Sequence, residues 1–100
     1  KEEKIQTNTF SQEAQKKFSS LPKKEPSASV RRLANKVVYE IDVPGVESID
    51  DVSVAKLENS IEIKAIAKDK AYKKIISVGL PLKKYKLDQE KLILELGVKN

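Results

Sequence analysis

The residues with the best claim to chemistry are three carboxylates in one short stretch, Glu47, Asp50 and Asp51, and what they lack is more telling than what they are. The chain has no histidine and no cysteine. Imidazole acid-base catalysis, thiolate nucleophiles, the usual zinc ligands and disulfide staples are therefore excluded together. An adjacent Asp-Asp pair with a nearby Glu could at best form an oxygen-only cation site. Its plainer reading is a solvated loop or a cap on a short helical turn. Serines and threonines are present, but no base of suitable pKa accompanies them, and a Lys-Ser pair on a strand is no catalytic dyad without burial. The three glycines, Gly45, Gly79 and Gly97, stand singly, so no phosphate-cradling loop exists. Neither a catalytic group nor a cofactor is expected.

With catalysis set aside, the elements carry the information. The run Val37-Val38-Tyr39-Glu40-Ile41-Asp42-Val43 alternates and closes on Val43-Pro44-Gly45-Val46. A period of two places Val37, Tyr39, Ile41 and Val43 on one face, which is the pattern of a sheet with one side in a core and the other in water. Pro44 and Gly45 suit the second and third positions of a type II turn, where glycine takes the positive φ at little cost. Further alternation follows at Val52 and Val54, then Ile61, Ile63 and Ala65. A strand is predicted over Tyr72 to Val78, a short one over Tyr85 to Leu87, and a last buried face at Leu92, Leu94 and Leu96. Turns are expected at Asn35-Lys36, Glu58-Asn59 and Lys68-Asp69-Lys70. The fold class is an all-β antiparallel sandwich, and one hundred residues with 39% hydrophobic content hold one small core.

Residues 1–28 differ in character and form a polar N-terminal arm, and residues 29–100 form the sandwich. Within the arm Phe10, Ala14, Phe18 and Leu21 recur at helical spacing. Thr9 and Gln12 stand in the relation of an N-cap and N3, and Pro22 would stop the turn. A marginal amphipathic helix from Phe10 to Leu21 is the prediction, on an arm that otherwise reads as a disordered tether. The alternative is an adhesive segment whose Phe10, Phe18 and Leu21 dock on a sister subunit or on exposed apolar surface.

Net charge is +5 with a pI near 9.4. Twenty basic residues are offset by fifteen acidic ones, and most of the lysines alternate with apolar residues, as a solvated sheet face requires. A nucleic-acid surface would add arginine clusters or interleaved aromatics, and Arg31-Arg32 is the sole arginine pair, so no nucleic-acid partner is expected. No apolar run approaches a membrane span, and Lys1-Glu2-Glu3-Lys4 is too polar for a secretory signal. The expectation is a soluble cytoplasmic protein with no membrane partner. The chain begins at Lys1 instead of Met, which suggests a trimmed or partial chain. Abundant Lys and Glu without Cys or Met fit a thermophilic source.

Taken in order, Tyr39 to Val46, Asp51-Val52-Ser53-Val54, Asn59 to Ile63, Tyr72-Lys73-Lys74, Leu80-Pro81 and Leu92-Ile93-Leu94 resemble the α-crystallin domain of small heat-shock proteins, over about Ser29 to Leu96. The resemblance implies an immunoglobulin-like sandwich and ATP-independent holding of partly unfolded client proteins. It also implies a client groove between the strand at Asp51 to Leu57 and the one before the last strand, lined by Val52, Val54, Tyr85 and Leu87. Taken singly, each of these four reads more readily as core or rim of a small sandwich.

Several departures from the family pattern narrow the expectation. The long loop that donates a strand to a partner subunit in bacterial and plant members is here only Lys68 to Ala71, so self-association as a dimer or larger should not proceed by that swap. Ile76 replaces the basic residue usual before the Leu-Pro strand end, and Lys91-Leu92-Ile93 stands where the family has Gly-Val-Leu. No Ile-x-Ile tail follows Leu96. These losses also make the domain similar to CS-type co-chaperone modules and to the crystallin-type domain of some arsenical-pump-like ATPases, which implies docking on one defined partner as the alternative function.

Overall fold

The computed structural model describes residues 10–97. Those residues form one helix, α1 (Gln12–Ser20), and eight strands: β1 (Lys23–Lys24), β2 (Ala28–Arg32), β3 (Lys36–Asp42), β4 (Val52–Lys56), β5 (Ser60–Ile66), β6 (Ala71–Ser77), β7 (Leu82–Asp88) and β8 (Lys91–Gly97). A 3-10 turn over Ile49–Asp51 precedes β4. The strands form two four-stranded sheets, ordered β1-β6-β5-β4 and β2-β3-β8-β7. All pairings are antiparallel except the two-residue match of β1 with β6. This is the expected all-β sandwich of immunoglobulin-like type.

Alternation decides which side chains enter the core. Ile41, Ile61, Ile63, Leu92, Leu94 and Leu96 have no exposed surface, and with Val43, Val46, Val52 and Val54 they fill the space between the sheets. Tyr39 is only half buried. It lies beside exposed Val30 of the edge strand β2, where the opposite sheet no longer covers it.

The hairpins close by two-residue turns. Leu33 N–H donates to Lys36 O at 2.9 Å, Leu57 N–H to Ser60 O at 2.8 Å, and Ala67 N–H to Lys70 O at 2.8 Å. The first turn therefore sits at Ala34-Asn35, one residue earlier than the predicted Asn35-Lys36, because Lys36 already pairs with Gly97. The strand predicted over Tyr85 to Leu87 extends to seven residues, since the whole of β7 pairs with β8 around a bulge between Leu82 and Lys84.

Val46 N–H donates to Val43 O at 3.1 Å and Gly45 has φ +94°, as the type II reading of Val43 to Val46 requires. A Cβ at Gly45 would approach Ala67 Cβ to 3.0 Å. The Tyr72 hydroxyl donates to Pro44 O at 2.7 Å and ties the turn to β6.

The β7–β8 turn is less well matched to its residues. Gln89 and Glu90 have φ of +52° and +65°, a conformation that favours Asn and Gly. Replacing Gln89-Glu90 by Asn-Gly is expected to add about 1 kcal/mol of stability by relieving two left-handed side-chain residues. Thermal unfolding of the variant checks this through a Tm rise of about 5 °C.

The helix forms, but on other boundaries than the spacing predicts. It runs from Gln12 to Ser20, and its N-cap is Ser11, whose hydroxyl accepts from Ala14 N–H at 3.2 Å. Thr9, the predicted cap, lies outside the described residues. Residues 10–24 are not a loose tether. Phe10 and Phe18 are buried with Ile66 and Ala71 on the outer face of the first sheet, and Ala14 and Leu21 pack against this second cluster. The rings of Phe10 and Phe18 meet at 5.8 Å. Lys23 Nζ and Lys64 Nζ lie 4.8 and 5.5 Å from the centre of the Phe18 ring. Beyond the helix, Ala71 N–H donates to Pro22 O at 2.8 Å, which starts β1 along the β6 edge. No described helix is long and apolar enough to cross a membrane.

Candidate strand-docking groove

Only three residues link β1 of the first sheet to β2 of the second, so the β1/β6 edge and the β2 edge share one side of the sandwich. The other two edges, β4 and β7, therefore share the opposite side. No further strand pairs with either among the described residues.

The register shows what each edge presents. Leu57 bonds inward to Ser60, so by antiparallel alternation the peptide groups of Val54 and Lys56 turn away from β5. Gly97 N–H donates to Pro81 O at 2.9 Å. By the same alternation Lys84 and Lys86 bond to β8, and the peptide group of Leu87 turns outward. An edge of this kind is a template for an added strand.

The four residues predicted for the groove divide into two kinds. Val52 and Val54 have no exposure and belong to the core. Tyr85 and Leu87 are half buried and pack against that same core from β7. Phe10 and Phe18 of the arm are buried elsewhere, with Ile66 of β5 and Ala71 of β6 on the outer face of the first sheet, and Leu21 is half buried beside them.

Charge on the two faces of β7 is unequal. Tyr85 and Leu87 point to the core side, and Lys84 and Lys86 point to the outer face, in register with Glu95 and Ile93 of β8. There Lys84, Lys86, Ile93 and Glu95 line a hollow of about 110 Å³. Neighbouring strands show how this fold neutralises such lysines. Arg31 pairs with Glu40 at 3.4 Å, Lys36 with Glu95 at 3.5 Å, Lys73 with Glu62 at 3.9 Å and Lys91 with Asp42 at 4.0 Å. Among the described residues Lys83, Lys84 and Lys86 enter no ion pair. The stem of Lys83 lies over Gly97, close enough that a Cβ there would meet its Cε at 2.6 Å.

The carboxylates considered for chemistry do not assemble. Asp50 N–H donates to Ser48 Oγ at 3.1 Å, so Asp50 and Asp51 belong to the capped 3-10 turn. No group of three or more carboxylates among the described residues is placed to hold a metal ion.

The lysine row on β7 was legible as composition, but its lack of partners was not, because pairing depends on which strand lies at the edge. The two-residue β1 leaves no periodic signal at all.

No family model matches the sequence, and no curated protein matches it. Solved structures do match. Heat shock protein 16.0 from Schizosaccharomyces pombe is 14% identical, with a TM-score of 0.64 over 74% of this chain and 86% of that one. A C-terminally truncated small heat shock protein AgsA from Salmonella typhimurium is 16% identical, with a TM-score of 0.61 over 77% and 90%. A point mutant of hsp14.1 from Sulfolobus solfataricus is 19% identical, with a TM-score of 0.62 over 88% and 87%. The fold is that of the small heat-shock proteins. Against the small heat-shock protein fold, the two-residue Lys68-Asp69 turn between β5 and β6 leaves no long loop between those strands.

Proposed function

We propose that this chain is a non-enzymatic, ATP-independent cytoplasmic chaperone that holds partly unfolded proteins by adding their extended segments to the β4/β7 side of its sandwich. The observation that carries the reading is an edge strand, β7, with half-buried Tyr85 and Leu87 on its core side and no strand beyond it among the described residues. Backbone pairing at such an edge tolerates many sequences, and the apolar pair adds side-chain contacts. Likeness to small heat-shock protein structures supports the same reading. Self-association, as a dimer or larger, would use other edges, such as β2 with exposed Val30 or the Lys73–Ser77 stretch of β6 with exposed Ile75. Nucleic acid and membranes are not partners in this reading.

A second reading, docking on one defined partner, is favoured by the burial of Phe10 and Phe18 within the chain. That burial leaves the described part of the arm little apolar surface to offer clients.

Aggregation of a heat- or reductant-stressed test protein separates the two. The holdase reading expects suppression near stoichiometric ratio without nucleotide, weakened several-fold in Leu87→Lys, whose cation would sit on the apolar side of the edge. Unchanged aggregation alongside tight binding to a single cellular protein would establish the docking module instead.

A further inference from the structure

We propose that two copies of this chain pair through their β2 edges, antiparallel and two-fold about Val30, so that the β2-β3-β8-β7 sheets of both copies join into one. The pairing lies on the side of the sandwich away from β4 and β7, is independent of guest binding there, and commits self-association to one edge.

The hydrogen bonds of β2 fix which of its peptide groups are free. Leu33 N–H donates to Lys36 O and Asp42 N–H donates to Ser27 O, both at 2.9 Å, so Ser27 and Leu33 are bonded to the β3 side. Antiparallel alternation between them places Ser29 and Arg31 in the same bonded class. It turns the N–H and C=O groups of Ala28, Val30 and Arg32 away from β3. Every residue of β2 is exposed, so no described element covers this edge.

A free edge joins its own copy only where outward groups meet outward groups. A two-fold centred on Val30 achieves this along the whole strand. Val30 exchanges both bonds with Val30 of the second copy, and Ala28 exchanges both with the opposing Arg32. Centring on Ser29 would set Arg32 against Pro26, which has no N–H, and centring on Arg31 would set Ala28 against Ala34 in the turn.

The side chains agree with this register. Val30, 56% exposed beside half-buried Tyr39, comes opposite Val30 of the second copy, and the two valines cover apolar surface that the other sheet leaves open. The arginines do not meet. Arg31 comes opposite Ser29 and Arg32 opposite Ala28, the smallest residues of the strand. Glu40 lies in register with Ser29 on β3, so each Ser29 stands between Glu40 and Arg31 of the second copy. The β6 edge offers a shorter ladder, because β1 occupies it at Ala71 and Tyr72 and Lys74 is held by Glu25 of the linker at 2.9 Å.

Light scattering on the full chain from about 1 μM to about 1 mM should show a monomer passing to a mass of two chains, since a two-fold pairing closes on itself. Val30→Pro removes an N–H that points away from β3, so β2 should stay in its sheet while the dimer weakens about thirtyfold through its lost intermolecular bonds. Val30→Lys sets two cations opposite each other and should leave a monomer throughout. Ile75→Lys, the equal charge change on β6, should keep the dimer, and circular dichroism confirms that each variant is folded. Cysteine is absent from the chain, so single-cysteine variants read the register. Ser29→Cys mixed with Arg31→Cys should link into a disulfide dimer under mild oxidation. Either variant alone should link far less, because its own counterpart lies diagonally, beyond disulfide reach. A monomer at every concentration overturns the proposal. So does a dimer that survives Val30→Lys and dissolves in Ile75→Lys, which assigns the pairing to β6. Equal linking in the mixture and in each variant alone overturns the two-fold about Val30.

Discussion

Leu94→Ala is expected to remove about 3–4 kcal/mol of folding stability, the range for deleting a fully buried leucine that its neighbours cannot close over. Leu94 lies in the middle of β8, a central strand, between Tyr39 of β3 and Tyr85 of β7, and has no exposed surface. Its side chain belongs to the core cluster that draws Ile41 from its own sheet and Val54 and Ile63 from the other. A domain of this size holds about 5–10 kcal/mol in total, and the substitution therefore removes a third or more of it. Chemical denaturation measures the change, and the Tm should fall by about 20 °C. A loss below about 1 kcal/mol would place Leu94 outside the core and undo the packing described for β8.

Phe18→Ala should act on a different unit. The nine residues of α1 are too few to be helical alone in water, so the helix persists through its contacts with the sheet. Phe18 is the centre of those contacts, with Phe10 at 5.8 Å and two lysine ammonium groups over its ring. Removing the ring is expected to cost about 2–3 kcal/mol, which multiplies the undocked population of α1 by about a hundred. Native-state hydrogen exchange of the Gln12–Ser20 amides reads this directly. The amides of Ile63 and Leu94 should keep most of their protection, because the aromatic cluster lies on the outer face of the first sheet and the main core lies between the sheets. Parallel loss of protection in β5 and β8 would show that helix and sandwich open as one cooperative unit. Under the holdase reading, undocking also uncovers Phe10 and Ile66. Aggregation assays on the same variant then tell whether the arm contributes to client capture.

The alternating segments explain how much of this could be read in advance. Val37 to Val43, Val52 to Val54 and Ile61 to Ala65 specify strand, inward face and register by themselves, because a one-residue slip would turn isoleucines and valines to water. The turn at Pro44-Gly45 is equally local, since proline sets one φ and glycine supplies the positive one. Even the helix was visible in the spacing of Phe10, Ala14, Phe18 and Leu21. Its cap was misplaced because Ser11 and Thr9 both satisfy the local chemistry, and docking of Phe10 ahead of Ser11 decides between them.

What lay beyond the sequence is whatever depends on an element's neighbours. That β4 and β7 stand at edges on one side follows from how the two sheets stack and from the three-residue link between β1 and β2. Whether Val54 is core and Leu87 half open is settled by what lies across from each. Alternation treats the two residues alike, and only the coverage differs. The lysines of β7 make the same point through charge, because a cation is satisfied or left over according to which carboxylates the finished sheet brings within reach. Hydrophobic periodicity is a short-range property carried by each segment alone, and it determined the β-sandwich. Edge position and charge balance arise only when all the strands are in place, and those tertiary facts decided which strands stand at the rims and which cations they leave beside them.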